Sequence, residues 1–376
     1  MYSFTGEQQQ FRDSLQRLLR EDYPFDRRRG IARSASGWSV ETWRQLAEVG
    51  ALALSLPEAH GGFGGGAMDT FLVMEECGRA LLLEPYLSTI VLGAGTVARA
   101  GNEAQRAAIL PAVGRGERQL ALAHYEPGSR YALDAIACEA RRDGAGWVLS
   151  GAKSWALNGA TADQLIVSAR TAKGPSLFLV DRTAAGVGVR DYPMYDARRA
   201  ADLQLDRVHV APDALLGEEG EAVPCVAAII DTAIAALCAE AVGAMAILLE
   251  TTGQYLKTRK QFGTPIGSFQ VLQHRMADML LETEAARSMA LLAASRMAGA
   301  PPGERSRIVS AAKVRVAEAA RHVGQQAVQL HGGVGVTDEL PVSHYFRRLT
   351  LIEMAFGDVD YHLGRFGRHL FDTQPQ

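Results

Sequence analysis

The residues of this 376-residue chain best suited to do chemistry lie in two glycine-marked stretches. In Gln329-Leu330-His331-Gly332-Gly333-Val334-Gly335, three glycines in four positions interrupt the helical pattern of Ile308 to Leu330. Glycine takes positive φ cheaply and lets a backbone approach a ligand. The amide of Gln329 beside exposed N–H groups of Gly332 and Gly333 could hold a phosphate, or the cluster could be a helix C-cap and turn. In Arg259-Lys260-Gln261-Phe262-Gly263-Thr264-Pro265-Ile266-Gly267-Ser268-Phe269-Gln270, a proline and two glycines stop another helix at a corner that presents Arg259, Phe262 and Gln270. A guanidinium suits bidentate binding of a pyrophosphate and an aromatic suits an adenine. The alternative is a charged interhelix loop. Two further stretches carry aromatics in turns, Tyr125-Glu126-Pro127-Gly128-Ser129 and Gly151-Ala152-Lys153-Ser154-Trp155-Ala156-Leu157-Asn158. Trp155 could lie against a flat cofactor ring or close one end of an apolar core.

The elements that must position these residues fall into three parts: an N-terminal helical domain (1–117), a middle domain (118–220) and a C-terminal domain (221–376). In the first, Thr5 and Gln8 form a capping-box signature before Phe11, Leu15, Leu18 and Leu19. Further helices are expected over Val40–Val49, Met68–Leu82, Ser88–Arg99 and Glu103–Val113. Gly62 to Ala67 fits the dinucleotide fingerprint GxGxxA, with Glu84 as a candidate ribose-binding acid, but no βαβ series surrounds it and a turn between helices is expected. The middle domain turns to short strands with no intervening helix, which points to an antiparallel β-barrel or pair of sheets. Long helices over Val226–Lys257, Phe269–Ala298 and Glu304–Leu330, with two shorter ones from Leu340 to Leu370, predict a four-helix bundle. The fold class is therefore multidomain α+β. Gly243, Ala244 and Ala246 allow close helix packing there.

Composition excludes several classes. Hydrophobic residues are 48 % and charged residues 22 % of the chain, with a net charge of −3, so no basic excess suggests nucleic acid. Four scattered cysteines without a CxxC pair argue for a reduced compartment and against a zinc site. His362 and His369 are too far apart for paired metal ligands and are expected to face solvent. The N-terminus lacks the basic and apolar regions of a signal peptide, and apolar runs such as Val226–Ala239 fall short of a membrane span. The expectation is a cytoplasmic protein.

In combination, the four stretches resemble the acyl-CoA dehydrogenase family over essentially the whole chain. Arg259 to Ile266 is similar to its RxQFGxPI segment, Gln329 to Gly335 to its QxxGGxG segment, Tyr125 to Ser129 to its TEPGSGSD turn, and Gly151 to Asn158 to its GxKxWITN segment. The resemblance implies bound FAD, with Arg259, Phe262, Gln270, Gln329 and Gly333, beside Gly332, holding its ADP half and Tyr125, Ser129, Trp155 and Leu157 lining the flavin. It implies a homodimer or homotetramer in which neighbouring subunits share an FAD. It also implies oxidation of an acyl-CoA thioester to the 2,3-enoyl-CoA, with a carboxylate base at Cα, a β-hydride passed to the flavin and electrons handed to an electron-transfer flavoprotein.

The sequence departs from the family where the base belongs. Counting from Gly332-Gly333 past Arg347, the usual glutamate position is Phe356, which cannot take a proton. A minority position on the preceding bundle helix is Ala233, followed by Ile234 where an arginine is common. The hydroxyl-bearing position of WITN is Leu157. Asp231, Glu240, Glu353 and Asp358 are candidate replacements. Glu240, two turns beyond Ala233 in an apolar run, is the strongest, since burial tunes a carboxylate toward base chemistry. Its alternative is a core acid paired with a bundle Arg or His. Arg347 and Arg348 read as surface charge. Three functions are compatible: a dehydrogenase with a relocated base, a base-deficient FAD-binding subunit of a mixed complex with a related chain, or a flavin oxidase or monooxygenase on the same fold.

Overall fold

The structure, a computed structural model, describes residues 4–144 and 146–371, without the side chains of 369–371. The first helices are α1 (Gly6–Asp22), α2 (Phe25–Ala32), α3 (Val40–Glu48) and α4 (Ala67–Ala80). A π-helical segment, Leu87–Ala94, then runs into α5 (Gly95–Ala100), and α6 (Glu103–Gly114) follows. Strands β1 (Leu120–Ala123), β2 (Glu139–Asp143), β3 (Gly146–Leu157), β4 (Gln164–Thr171), β5 (Gly174–Asp181), β6 (Val187–Pro193), β7 (Arg199–Val210) and β8 (Leu215–Leu216) make up the middle. Helix α7 (Ala222–Thr258) leads to a ribbon of β9 (Lys260–Gln261) and β10 (Thr264–Pro265). Helices α8 (Gln270–Ser295), α9 (Pro302–His331), α10 (Pro341–Met354) and α11 (Val359–Phe371) follow. The chain forms two compact units: Met1–Arg29 with Ala67–Leu82 and Ile234–Gln376, and Gly30–Gly66 with Leu83–Ala233.

The first unit is helical apart from the β9–β10 ribbon. Thr5 caps α1 as expected: its hydroxyl accepts the Gln8 N–H at 3.2 Å and the Gln8 amide oxygen accepts the Thr5 N–H at 3.1 Å. Leu15 and Leu19 then turn inward. Helix α2, Phe-Asp-Arg-Arg-Arg-Gly-Ile-Ala, was not legible from its charge-rich sequence, yet Arg28 is buried and donates to the Leu81 carbonyl at 2.7 Å. Helices α4 and α7 cross backbone to backbone. A Cβ on Gly243 would lie 1.9 Å from the Glu75 carbonyl oxygen, and one on Gly78 would lie 1.9 Å from that of Glu240. Two reciprocal glycines thus set the crossing. The 37-residue α7 is long and apolar enough to span a membrane, contrary to the short apolar run read from sequence, but 72 % of that apolar window is buried in the protein. Its alanines and aliphatics are used as core.

The second unit carries the sheet, in the order β6-β7-β3-β2-β4-β5-β8, with β1 beside β4. Most pairings are antiparallel as expected, but β1 and β2 both run parallel to β4. The loop from β1 to β2 makes this possible, carrying the chain back without a hairpin. Leu149, Leu165, Val167, Phe178, Leu203 and Leu205 fill the core, with the Trp147 and Phe178 rings edge to face at 5.2 Å. The glycine run at 62–66 lies in a turn before α4 with no strand ahead of it, and a Cβ on Gly62 would overlap the Leu56 carbonyl. Glu84 accepts the Ser39 N–H at 3.2 Å, so the fingerprint match is a tight turn.

The helix crossing gives a direct test. Gly243→Ala forces the α4 and α7 backbones apart and is expected to lower unfolding free energy by about 2–3 kcal/mol in denaturant titration; an unchanged midpoint would contradict the crossing.

Candidate active site

In the helical unit, Arg259 follows the last turn of α7, its N–H bonded to the Tyr255 carbonyl at 2.8 Å. The β9–β10 ribbon turns through Phe262 (φ 54°) and Gly263 (φ 79°), two residues of positive φ as in a type I′ hairpin. Phe262 accepts this strained conformation and stands 93 % exposed at the tip. Helix α9 ends where Gly332 turns to φ 64° and ψ −145°, a region closed to side chains. Tyr255 stacks on His331 at 4.4 Å and donates its hydroxyl to the His331 carbonyl at 3.2 Å, which ties the end of α7 to the end of α9. Beside this joint is a cavity of about 360 Å³ lined by Tyr255, Arg259, Arg275, Gln329, His331 and Gly332. Arg259, Gln329 and Gly332 are therefore brought together at one cavity. Gln270 is exposed at the start of α8, and Gly333 is exposed with open space where a Cβ would be. Two guanidiniums with an exposed amide and backbone N–H groups are a donor set that fits the diphosphate of FAD. Arg275 is the member sequence reasoning missed; it sits five residues beyond Gln270 on the same helix.

In the sheet unit, the two aromatic turns are stitched together by a buried ion pair. Lys153, on β3, donates its ammonium to Glu126 at 2.6 Å, to Ser168 Oγ at 3.0 Å and to the His124 carbonyl at 3.3 Å. Glu126 also accepts the N–H groups of Ala137 at 2.7 Å and Cys138 at 3.0 Å. Burial would raise the Glu126 carboxyl, but Lys153 and these N–H groups outweigh it and hold it below the usual range. Burial lowers the Lys153 ammonium despite its partner. The Ser154 N–H donates to the Tyr125 carbonyl at 2.8 Å, so the two segments share one frame. Tyr125 is buried with its ring 5.9 Å from that of Trp155, tilted by 51°. Ser129 is engaged in its own turn, donating to the Glu126 carbonyl at 2.9 Å and accepting the Glu126 N–H at 3.1 Å. Leu157 is half-buried at the end of β3. Tyr125 and Trp155 are thus paired, while Ser129 serves the turn. Lys153 and Glu126 are legible only as opposite charges inside otherwise apolar segments.

Phe356, which the sequence count puts at the usual base position, is buried, at φ 59° in the link between α10 and α11. That link is fully anchored. Lys313, buried on α9, donates its ammonium to the carbonyls of Ile352 at 2.6 Å, Glu353 at 3.0 Å, Ala355 at 2.8 Å and Gly357 at 3.1 Å. These include the free carbonyls at the end of α10, where a cation also meets the negative end of the helix dipole. Burial pushes the Lys313 ammonium down to about 8. His362 lies 3.2 Å from the Phe356 carbonyl and 3.1 Å from Ser310 Oγ; a carbonyl only accepts, so Nε2 carries the proton and Nδ1 accepts from the serine. His362 is therefore buried rather than facing solvent, because the loop needs a donor there. The side chain of His369 lies outside the described residues.

The candidate replacement acids are mostly committed. Both Glu240 oxygens accept from Arg348, Oε1 from Nε at 2.7 Å and Oε2 from Nη2 at 2.6 Å, with both residues buried. This is the paired-core alternative, and it moves Arg348 from the expected surface into the bundle. A carboxylate gripped at both oxygens by a guanidinium fork has to give up part of that pair to take a proton. Glu353 pairs with Arg321. Asp358 accepts the Tyr361 N–H at 2.9 Å and caps α11. Asp231, Ala233 and Ile234 are buried. Among the described residues no group of three His, Cys, Asp or Glu could hold a metal.

Two outcomes follow for this site. Glu240→Gln removes the carboxylate charge opposite the buried Arg348 and is expected to cost roughly 3–5 kcal/mol of stability, with Glu240→Leu/Arg348→Leu recovering most of it in denaturant titration. His124 and His362 are held neutral, each down to about 3, by burial first and by a neighbouring lysine second. Their folded values lie below the unfolded one, so stability is whole above the unfolded value and falls as pH drops toward 3. From pH 7 to pH 5 each should cost about 2 kcal/mol, a slope that His362→Gln should reduce in urea melts at the two pH values.

The acyl-CoA dehydrogenase N-terminal, middle and C-terminal domain models match residues 5–117, 121–208 and 228–371. The mitochondrial isovaleryl-CoA dehydrogenase of Oryza sativa subsp. japonica is 30 % identical over 99 % of this chain and 93 % of its own. Acyl-CoA dehydrogenase FadE27 of Mycobacterium tuberculosis (strain ATCC 25618 / H37Rv) is 33 % identical over 89 % of this chain and 88 % of its own. A chain of the ChsE4–ChsE5 complex from Mycobacterium tuberculosis superposes with a TM-score of 0.91 at 29 % identity, covering 99 % of each chain. The fold, the shared segments and these matches together make this chain a member of the acyl-CoA dehydrogenase family, FAD-dependent oxidoreductases that act on CH–CH donors.

Proposed function

We propose that this chain is the FAD-holding, base-deficient subunit of a mixed acyl-CoA dehydrogenase, which oxidises an acyl-CoA thioester to its 2,3-enoyl form and passes electrons to an electron-transfer flavoprotein. The observation that carries this reading is Phe356, fixed in the base position by Lys313 and His362, while Glu240, Glu353 and Asp358 are each engaged by other groups. FAD supplies the hydride acceptor. In this chain Arg259, Arg275, Gln329 and Gly332 would hold the diphosphate, with Phe262, Gln270 and Gly333 at its margin. Tyr125, Trp155 and Leu157 would face the ring system, and the Ser129 turn would keep them in place. The acids that flank Phe356, Glu353 and Asp358, are engaged by Arg321 and the Tyr361 N–H, so a related subunit would contribute the carboxylate.

Support for a partner chain comes from both sides. Phe262 and Val336, on the segments that carry Arg259 and Gln329, stand exposed, and exposed apolar side chains at a binding site suit contact with another chain. The similar ChsE4–ChsE5 structure is named as a complex of two components. A homo-oligomer that works alone with Glu240 as base is less well supported, because proton abstraction there requires breaking a buried bidentate ion pair.

Phe356→Glu places a carboxylate on an already anchored loop. With isovaleryl-CoA as the probe thioester and an artificial electron acceptor, the unmodified chain and Phe356→Gln are expected to show no turnover and Phe356→Glu to gain it. Turnover by the unmodified chain equal to that of Phe356→Glu would overturn the reading.

A further inference from the structure

Trp155 is one of few non-glycine residues with positive φ, at 54°. An L-residue is disfavoured in this conformation, so something must hold it there. The cause lies across the sheet. Strand β3 slips register against β7 between Lys153 and Ala156, leaving Ser154 and Trp155 bulged. Opposite the bulge is Asp202 of β7. Its Oδ1 accepts the Trp155 N–H at 3.3 Å and the Tyr192 hydroxyl at 3.1 Å, and its Oδ2 pairs with Arg190; both partners come from β6. At the far end of the side chain, the indole N–H donates to Met194 Sδ at 3.3 Å. The indole is therefore held at its backbone by Asp202 and at its ring by Met194, in the link after β6.

We infer that Asp202 is a positioning residue, which fixes the angle at which the Trp155 indole meets a bound flavin. Its flavin-facing consequence rests on the placement of Trp155 proposed above. Arg190 and Tyr192 orient the carboxylate, and the carboxylate orients the bulge. Burial alone would raise the Asp202 carboxyl, but the Arg190, Trp155 and Tyr192 bonds outweigh it and keep it ionised as an acceptor. A residue at 202 without an acceptor would let the bulge relax toward ordinary strand geometry and swing the indole away from Tyr125.

The test compares Asp202→Ala, Asp202→Glu, Tyr192→Phe and Trp155→Phe in the full chain. The Trp155 contribution to near-ultraviolet circular dichroism is taken as the difference between the unmodified chain and Trp155→Phe, and FAD affinity is measured by flavin fluorescence. Asp202→Ala is expected to lose the Trp155 band and weaken FAD binding about tenfold, matching Trp155→Phe. Asp202→Glu should restore part of both, and Tyr192→Phe, the gentler change should Asp202→Ala fail to fold, should reduce both partway. An unchanged Trp155 band in Asp202→Ala or Tyr192→Phe would overturn the inference. Loss of the band with full FAD affinity in both Asp202→Ala and Trp155→Phe would leave Asp202 holding the indole but overturn its role toward the flavin.

Discussion

An ammonium group buried without partners costs several kcal/mol, and this protein buries two. Lys313 meets that demand with four carbonyls of the link between α10 and α11, and Lys153 meets it with Glu126, Ser168 and the His124 carbonyl. Each lysine obliges a loop to wrap around it. The first loop contains Phe356; the second joins Tyr125 to Trp155. The functional geometry of both units is thus a by-product of satisfying a buried cation, and neither loop can relax without stranding a charge.

On the proposed reading, this is how the chain could lose the family's base and keep its shape. Lys313, His362 and Asp358 hold the loop through backbone groups that every residue type provides. On the proposed reading, a phenyl ring in place of a carboxylate leaves these backbone bonds available. On the same reading, Glu240 serves the core rather than catalysis. Its neighbours on α7 are small and apolar, but Arg348 arrives from α10 and turns a candidate base into a core ion pair.

Much of this was legible from the sequence. The helix periodicities, the Thr5 cap and the order of helices, strands and bundle were, because local pattern governs them. Arg259, Gln329 and Gly332 converge on one cavity because glycine and proline punctuation marks helix ends. Pairings that cross long sequence separations were not readable. Arg348 reads as surface charge beside Arg347, since nothing near it in sequence reveals Glu240 more than a hundred positions away. The parallel placement of β1 and β2 against β4 has no local signature either, and α2 has no apolar stripe. Asp202 has no motif; its role exists only through the slip in register between β3 and β7.

The central claim is that this chain holds FAD but lacks its own base. Its most direct test is the visible absorption spectrum of the unmodified chain, purified alone and then mixed anaerobically with a panel of acyl-CoA thioesters. The account predicts a flavin band that stays oxidised with every thioester and bleaches only when a base-bearing related subunit is added. Bleaching by the chain alone would contradict it.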